Sequence, residues 1–364
     1  MLRRARFSLL SLLLVVGLAG LANAEELKSD FTVDSKDLKF TNLIGEISVI
    51  EATGNEFEIQ IVVRGEDAEA DMLTFESSND GEDVFAIRYP LDEHDDYVYP
   101  PMGSNSKTTF SFRNDDSGEK SWLKKIYHQM SGKKVTVRGE GRGLEIWADV
   151  TIAVPKGAAL EVQHGTGEIT ALNIDGDLYL DISSGRVTAE HIEGNLIVDT
   201  GSGRVDVANV KGNVDVDTGS GRVAVSDCEG DEVKVDTGSG SVTVDNVVCE
   251  VLDVDTGSGS VKAKAVAADQ ARIDTGSGSV VLQLDRMGTG NFVIDTGSGS
   301  IEMVMPEDAS AHITADTGSG SVKNSHPGAS IVSKSHGEMV LAIGDEEARV
   351  RLDAGSGSIR VKQQ

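Results

Sequence analysis

The residues in this 364-residue chain best suited to chemistry are carboxylates set in a recurring loop. Asp-Thr-Gly-Ser-Gly begins at Asp199, Asp217, Asp236, Asp255, Asp274, Asp295 and Asp316. Two such loops facing each other would let their carboxylates share a proton, as in an aspartic protease. A column of them would offer hard oxygen ligands to calcium. Successive copies are 18, 19, 19, 19, 21 and 21 residues apart, which stacks each Asp on the next instead of opposing it across a cleft. Asp217, Asp236, Asp255, Asp274, Asp295 and Asp316 are therefore the candidate metal ligands, as a calcium ladder. The competing role for the same carboxylates is to cap their own turns, accepting bonds from the Gly and Ser amides that follow. Some compensation is required, because carboxylates one strand apart repel by about 0.9 kcal/mol per neighbour even in water. Arg186, Arg204 and Arg222, five residues after the Asp, could neutralise one end of the column. Beyond them that position holds Ser241, Ser260, Ser279, Ser300 and Ser321.

The loops are positioned by strands. Degenerate copies at Gln163, Asp181, Ser333 and Asp353 extend the repeat, with 17–21 residues between neighbours throughout. Counting the Asp as position zero, −3 and −1 are apolar (Val214 and Val216, Leu252 and Val254), as are +6 and +8 (Val223 and Val225, Val280 and Leu282). Alternation of β-branched residues means strands, and Gly-Ser-Gly supplies the tight turn between them. Position +11 (Ile174, Ile192, Val210, Cys228, Val247, Val266) points inward at a second corner. The same side chains recur at the same offsets, so parallel stacking converts each offset into a ladder around one continuous core. The expected fold is all-β, a single-domain parallel β-solenoid of about eleven coils over 160–364. At position −2, Asp215, Lys234, Asp253 and Arg272 alternate in sign, a cross-coil ladder that sets register more than stability.

Residues 25–159 read as a less regular β-rich amino-terminal cap. Phe40 to Ile50 resembles one degenerate coil, and Phe57, Ile59, Ile61 and Val63 alternate, as do Leu144 to Val154. A charged insertion spans about 66–142: residues 66–96 hold twelve acids and one Arg, and 120–142 hold seven Lys or Arg and one acid. Within it, Leu123, Ile126, Tyr127 and Met130 share one face of a predicted helix over Ser121–Met130. Trp122, Tyr127 and the lysines could form a contact surface there. Residues 1–24 read as a signal peptide: Arg3, Arg4 and Arg6, a short apolar run, then Ala22-Asn23-Ala24 before the cut. No later segment is apolar enough to span a bilayer, so the mature chain is expected to be exported, to the periplasm or the cell surface. Its formal charge falls from −27 to −30 on cleavage, because three arginines and no acids leave. Such acidity excludes nucleic acid as a partner. Cys228 reads as a small buried hydrophobe, and Cys249 lies at the limit of disulfide reach from it.

Phe40–Gly65, the step Val154-Pro155-Lys156-Gly157 into LEVQHGTGEIT, and the DTGSGSV coils together resemble the bacterial β-strand-repeat family labelled "putative adhesin", otherwise a domain of unknown function. The resemblance implies a β-solenoid fold and no catalytic residues. The expected function is a non-enzymatic binding or structural protein of the cell envelope, meeting an unknown protein or glycan surface. The alternative is a periplasmic structural or regulatory protein, and a more remote one is a carbohydrate-active enzyme. No cofactor is expected apart from calcium.

Overall fold

The structure, a computed structural model, describes residues 27–79, 82–111 and 134–364. The leader and the predicted helix over Ser121–Met130, with its Trp122–Tyr127 surface, lie outside them. The chain divides after Val187 into two compact units. That division falls later than residue 160, where the repeats become regular. Strands dominate both units, and among the described residues no helix is long and apolar enough to cross a membrane.

The first unit contains β1 (Leu27–Val33), β2 (Asp37–Glu51), β3 (Phe57–Arg64), β4 (Thr74–Ser78), β5 (Asp83–Arg88), β6 (Asp96–Val98), β7 (Lys107–Ser111), β8 (Lys134–Arg138) and β9 (Trp147–Val154). It ends within β10 (Ala158–Glu193), which bends around whole coils. β2 is the degenerate coil foreseen at Phe40–Ile50: β10 lies parallel to it from Ala159↔Asp37 to Leu172↔Ile50. The far edge of β2 pairs in parallel with β5 and then β9. β4 continues from β5, and β3 and β1 continue from β9, all antiparallel. The open edge of the first coil is thereby covered, as an exposed strand edge must be. Phe31 and Phe40 close on Phe85 with ring centroids 4.9 and 5.9 Å apart, burying the apolar face shared by these strands. β6, β8 and β7 form a separate three-stranded sheet. At the turn of the first coils His164 is fully buried, with Nε2 2.8 Å from the Gly45 carbonyl and Nδ1 3.2 Å from that of Asn42. Burial lowers its pKa to about 4, so the imidazole is neutral at physiological pH.

The second unit begins inside β10 and continues with β11 (Leu196–Lys211), β12 (Val214–Ser220), β13 (Val223–Glu229), β14 (Glu232–Ser239), β15 (Val242–Thr256) and β16 (Val261–Thr275). It then runs through β17 (Val280–Met287), β18 (Asn291–Thr296), β19 (Ile301–Met305), β20 (Ala311–Thr317) and β21 (Val322–Asn324). β22 (Ala329–Lys334), β23 (Glu338–Ile343), β24 (Ala348–Ala354) and β25 (Ile359–Gln363) complete it. Through Met305 the ladders are parallel, and equivalent offsets face one another: Val216↔Val235, Val225↔Val244, Cys228↔Val247, Val254↔Ile273. These residues are at most 2% exposed, so the expected parallel β-solenoid is present with the expected inward positions.

At the carboxy-terminal end, order in the chain and order in the stack part company. β24 lies between β18 and β20, parallel to both, and β25 lies between β19 and β21. The Asp353 coil is therefore inserted beneath the Asp316 coil. The Ser333 copy, expected to be a further parallel coil, is instead the antiparallel hairpin β22–β23, with β23 also antiparallel to β20. The physical reason is the open edge that every parallel stack leaves at its end. A hairpin covers that edge and leaves β22 outermost, where a register shift between Ile331 and Ser333 interrupts its pairing.

The second corner depends on a backbone conformation that side chains seldom adopt. Asn173, His191, Asn209, Asp227, Asn246 and Ala265, each ten residues after the repeat origin, have φ between 47° and 58°. Asn and Asp tolerate this left-handed region because their short polar groups bond locally. Asn246 Nδ2 also donates to Asp227 Oδ1 at 2.7 Å, one coil away. Ala265 has neither advantage. Ala265→Asn is expected to stabilise the protein by roughly 0.5–1 kcal/mol, read as a higher urea midpoint at unchanged slope.

Candidate functional site

The turn column of the second unit holds the residues singled out for chemistry. Pairing runs Asp199↔Asp217↔Asp236↔Asp255↔Asp274↔Asp295 through successive strands. It then passes to Asp353 and from Asp353 to Asp316, following the inserted coil. All six candidate ligands thus stand in one column, but Asp316 does not neighbour Asp295. The carboxylates lie side by side on parallel strands. That arrangement differs from the face-to-face pair of an aspartic protease, in which two loops converge on one proton.

Asp236, Asp255 and Asp295 have pKa values raised by burial first and then by neighbouring carboxylates, Asp217 beside Asp236, Asp274 beside Asp255 and Asp353 beside Asp295. A carboxyl that holds its proton more tightly when folded contributes stability below its unfolded pKa. That contribution is lost as pH rises through the folded value, so the column costs most near neutrality. Part of the cost is offset by the −2 row. Lys234 Nζ reaches Asp215 at 3.3 Å, and Arg272 reaches Asp253 at 3.3 Å, Asp274 at 3.4 Å and Asp255 at 3.8 Å. The alternating row therefore forms two cross-coil pairs, and its arginine also serves the column. Of the +5 arginines, Arg186 pairs with Glu168 and Arg204 with Asp206. In later coils the +5 serines bond between turns, with the Ser300 amide donating to Ser279 Oγ and the Ser358 amide to Ser300 Oγ, each at 3.2 Å. Among the described residues no group of three or more His, Cys, Asp or Glu side chains is gathered in a way that could hold a metal ion.

The turn cap foreseen for Asp is made by its neighbour in three turns. The amides of Gly278, Gly299 and Gly320 donate to Oγ1 of Thr275, Thr296 and Thr317 at 3.0, 2.9 and 3.0 Å. Each of these hydroxyls donates in turn to a glycine carbonyl of the adjacent coil, Gly259, Gly278 and Gly357, at 2.8, 2.7 and 2.6 Å. Thr is inward, at most 3% exposed, because +1 continues the alternation of −3 and −1. That parity was visible in the sequence, although the hydroxyl relay was not. In Thr200, Thr218 and Thr237 the buried Oγ1 has no hydrogen-bond partner within the protein.

Cys228 and Cys249 are both free and buried, standing beside Val247 and Ala268 in the ladders. Burial pushes their thiols up to about 11 and about 12, so both stand protonated among the core side chains at neutral pH.

The contrast among threonines is testable. Thr296→Val strands a buried N–H and a buried C=O and is expected to cost about 1–3 kcal/mol. Thr218→Val removes a hydroxyl that has no partner and is expected to be neutral or stabilising. Urea midpoints of the two variants against the parent check both.

Comparison with protein families agrees with this architecture. The protein-family model described as "Toastrack DUF4097" matches residues 129–362. No curated protein matches the chain. Among solved structures, a putative adhesin from Parabacteroides distasonis is 12% identical with a TM-score of 0.43, over 93% of this chain and 98% of that one. A putative adhesin from Bacteroides fragilis is 12% identical with a TM-score of 0.35, over 94% and 98%. A putative cell adhesion protein from Clostridium sporogenes is 12% identical with a TM-score of 0.19, over 93% and 100%. With the family model covering well over half of its length, the chain belongs to the Toastrack DUF4097 family.

Proposed function

We propose that this protein is an exported, non-enzymatic binding and structural protein of the bacterial cell envelope, an adhesin as the sequence resemblance implies. The observation that carries the reading is the turn column: in-register coils present the same Asp, Ser and Gly groups over and over along one face. Such repetition suits many weak, equivalent contacts with a protein or glycan surface better than one concerted reaction. Side-by-side carboxylates and buried, protonated thiols support a non-catalytic role. Export is supported by the leader-like residues 1–24, and the high negative charge fits an exterior rich in cations.

Location is tested by protease digestion of intact cells, with an outer-membrane-permeabilised control. Digestion without permeabilisation is expected. Protection until the membrane is opened would replace adhesion by a periplasmic structural or regulatory role.

Calcium bridging neighbouring pairs of column carboxylates, Asp217 through Asp316, forms part of the same proposal; it would rest on two side chains at a time, since among the described residues no three gather around one point. Its support is the like-charge spacing and the raised pKa values of Asp236, Asp255 and Asp295. Purified protein is expected to melt several degrees higher in millimolar Ca²⁺ than in sodium chloride of equal ionic strength. Equal melting temperatures would leave the column with general screening and no bound ion.

A further inference from the structure

The first unit carries a pocket of about 240 Å³ on the outer face of β4, β5, β2 and β10, far smaller than a cleft for a polymer. Its floor follows from strand parity. Phe40, Phe85 and Val162 point into the core, so the residues between them face outward. In one row Val84 stands beside Lys39 and Lys39 beside Glu161; in the next, Ala86 stands beside Thr41 and Thr41 beside Gln163. Outward residues at the middle of a sheet are ordinarily wet. Here Thr41 is 2% exposed, Ala86 4% and Gln163 6%, because they lie at the bottom of the pocket.

Two polar atoms on that floor have no partner within the protein, Thr41 Oγ1 and Gln163 Oε1. The amide of Gln163 is oriented, since its Nε2 donates to Glu161 Oε1 at 2.6 Å, leaving Oε1 as a pure acceptor in the pocket. The Thr41 hydroxyl can both donate and accept. Two ion pairs stand around the floor, Lys39 with Glu161 at 2.7 Å and Arg88 with Glu76 at 2.6 Å, and Glu82 also lines the pocket. An anion would have to break one of these pairs and face Glu82, whereas hydroxyls can donate to the carboxylates and accept from the paired cations. Val84 and Ala86 add a small apolar patch beside the two polar atoms.

We infer that this pocket binds a single neutral, polyhydroxylated ring, one saccharide residue at the end or side of a glycan. Adjacent ring hydroxyls can donate to Gln163 Oε1 while exchanging a hydrogen bond with Thr41. The ring's C–H face can lie on Val84 and Ala86, and the paired charges at the rim can bond further hydroxyls without a net charge on the ligand. The inference names a ligand class and a site in the first unit. It is independent of the aspartate column, of calcium and of cellular location, so its failure would leave those proposals to their own tests.

The experiment is ligand-observed NMR on the purified full chain with a panel of methyl glycosides: glucose, galactose, mannose and N-acetylglucosamine, with sodium phosphate and ammonium as charged controls. At least one glycoside is expected to bind with a Kd in the millimolar range or tighter. Thr41→Val, close to isosteric, and Gln163→Met should each weaken that binding tenfold or more while the melting temperature stays within a few degrees of the parent. A double variant, Val84→Ser with Ala86→Ser, removes the apolar patch and should also weaken it, which keeps the test valid if one floor variant folds poorly. Absence of binding across the panel, binding of a charged control in preference to every glycoside, or binding that survives both floor substitutions would overturn the assignment.

Discussion

Close approach of glycine backbones is the constraint on which the repeat depends. At position +4 of each turn, a side-chain carbon on Gly221, Gly240, Gly259, Gly278 or Gly299 would fall 1.5–1.7 Å from the carbonyl oxygen of the equivalent glycine in the preceding coil. No rotamer change relieves such a clash, because the obstructing atom is backbone. The column of +4 glycines therefore sets how tightly successive turns can nest, and the strands on either side inherit their register from it. With the turns nested, the −3, −1, +6, +8 and +11 side chains meet their own counterparts. A core of small β-branched residues then suffices, as at Val216, Val235 and Val254, without large interdigitating groups. The same nesting brings each threonine hydroxyl within reach of the neighbouring glycine carbonyl in the later coils.

That economy has an electrostatic consequence. Identical coils stacked in register place identical charges in register, and burial raises the pKa of Asp236, Asp255 and Asp295 before their neighbours add to the effect. A strictly perfect repeat would make the problem worse with every coil. The outward −2 row is where the repeat is allowed to vary, and its alternation of Asp215, Lys234, Asp253 and Arg272 returns some of the lost balance. Arg272 lies within 4 Å of acids at both the −2 and zero positions. Sequence variation at this offset is thus a physical counterweight to sequence identity at the turn.

Both ends of the repeat are closed by departures from it. In the first unit the strand paired with the earliest coil changes from parallel to antiparallel partners through β3–β9 and β4–β5. In the second unit the hairpin β22–β23 performs the same service. Departure from regularity is also where the first unit acquires individual features: a buried neutral histidine between two carbonyls, an aromatic cluster around Phe85, and a pocket with unpartnered polar atoms on its floor.

The sequence by itself determined the solenoid, its inward offsets and the column of aspartates, because these depend only on period and parity. A period of 17–21 residues with Gly-Ser-Gly turns and alternating valines admits one economical packing. Threonine's inward side was legible by the same parity, and Asn or Asp at +10 was a readable sign of a left-handed corner. Three things were decided only by the tertiary structure. The Asp353 coil entered the stack out of chain order, since edge coverage by a hairpin is a property of the finished sheet and leaves no periodic trace. The Ser333 copy kept the spacing of a coil but paired antiparallel for that reason. The pocket at Thr41 and Gln163 joins residues 122 positions apart in sequence, and their burial depends on strands that carry no motif. Periodicity can be read along a chain, whereas concavity exists only between segments that distance has brought together.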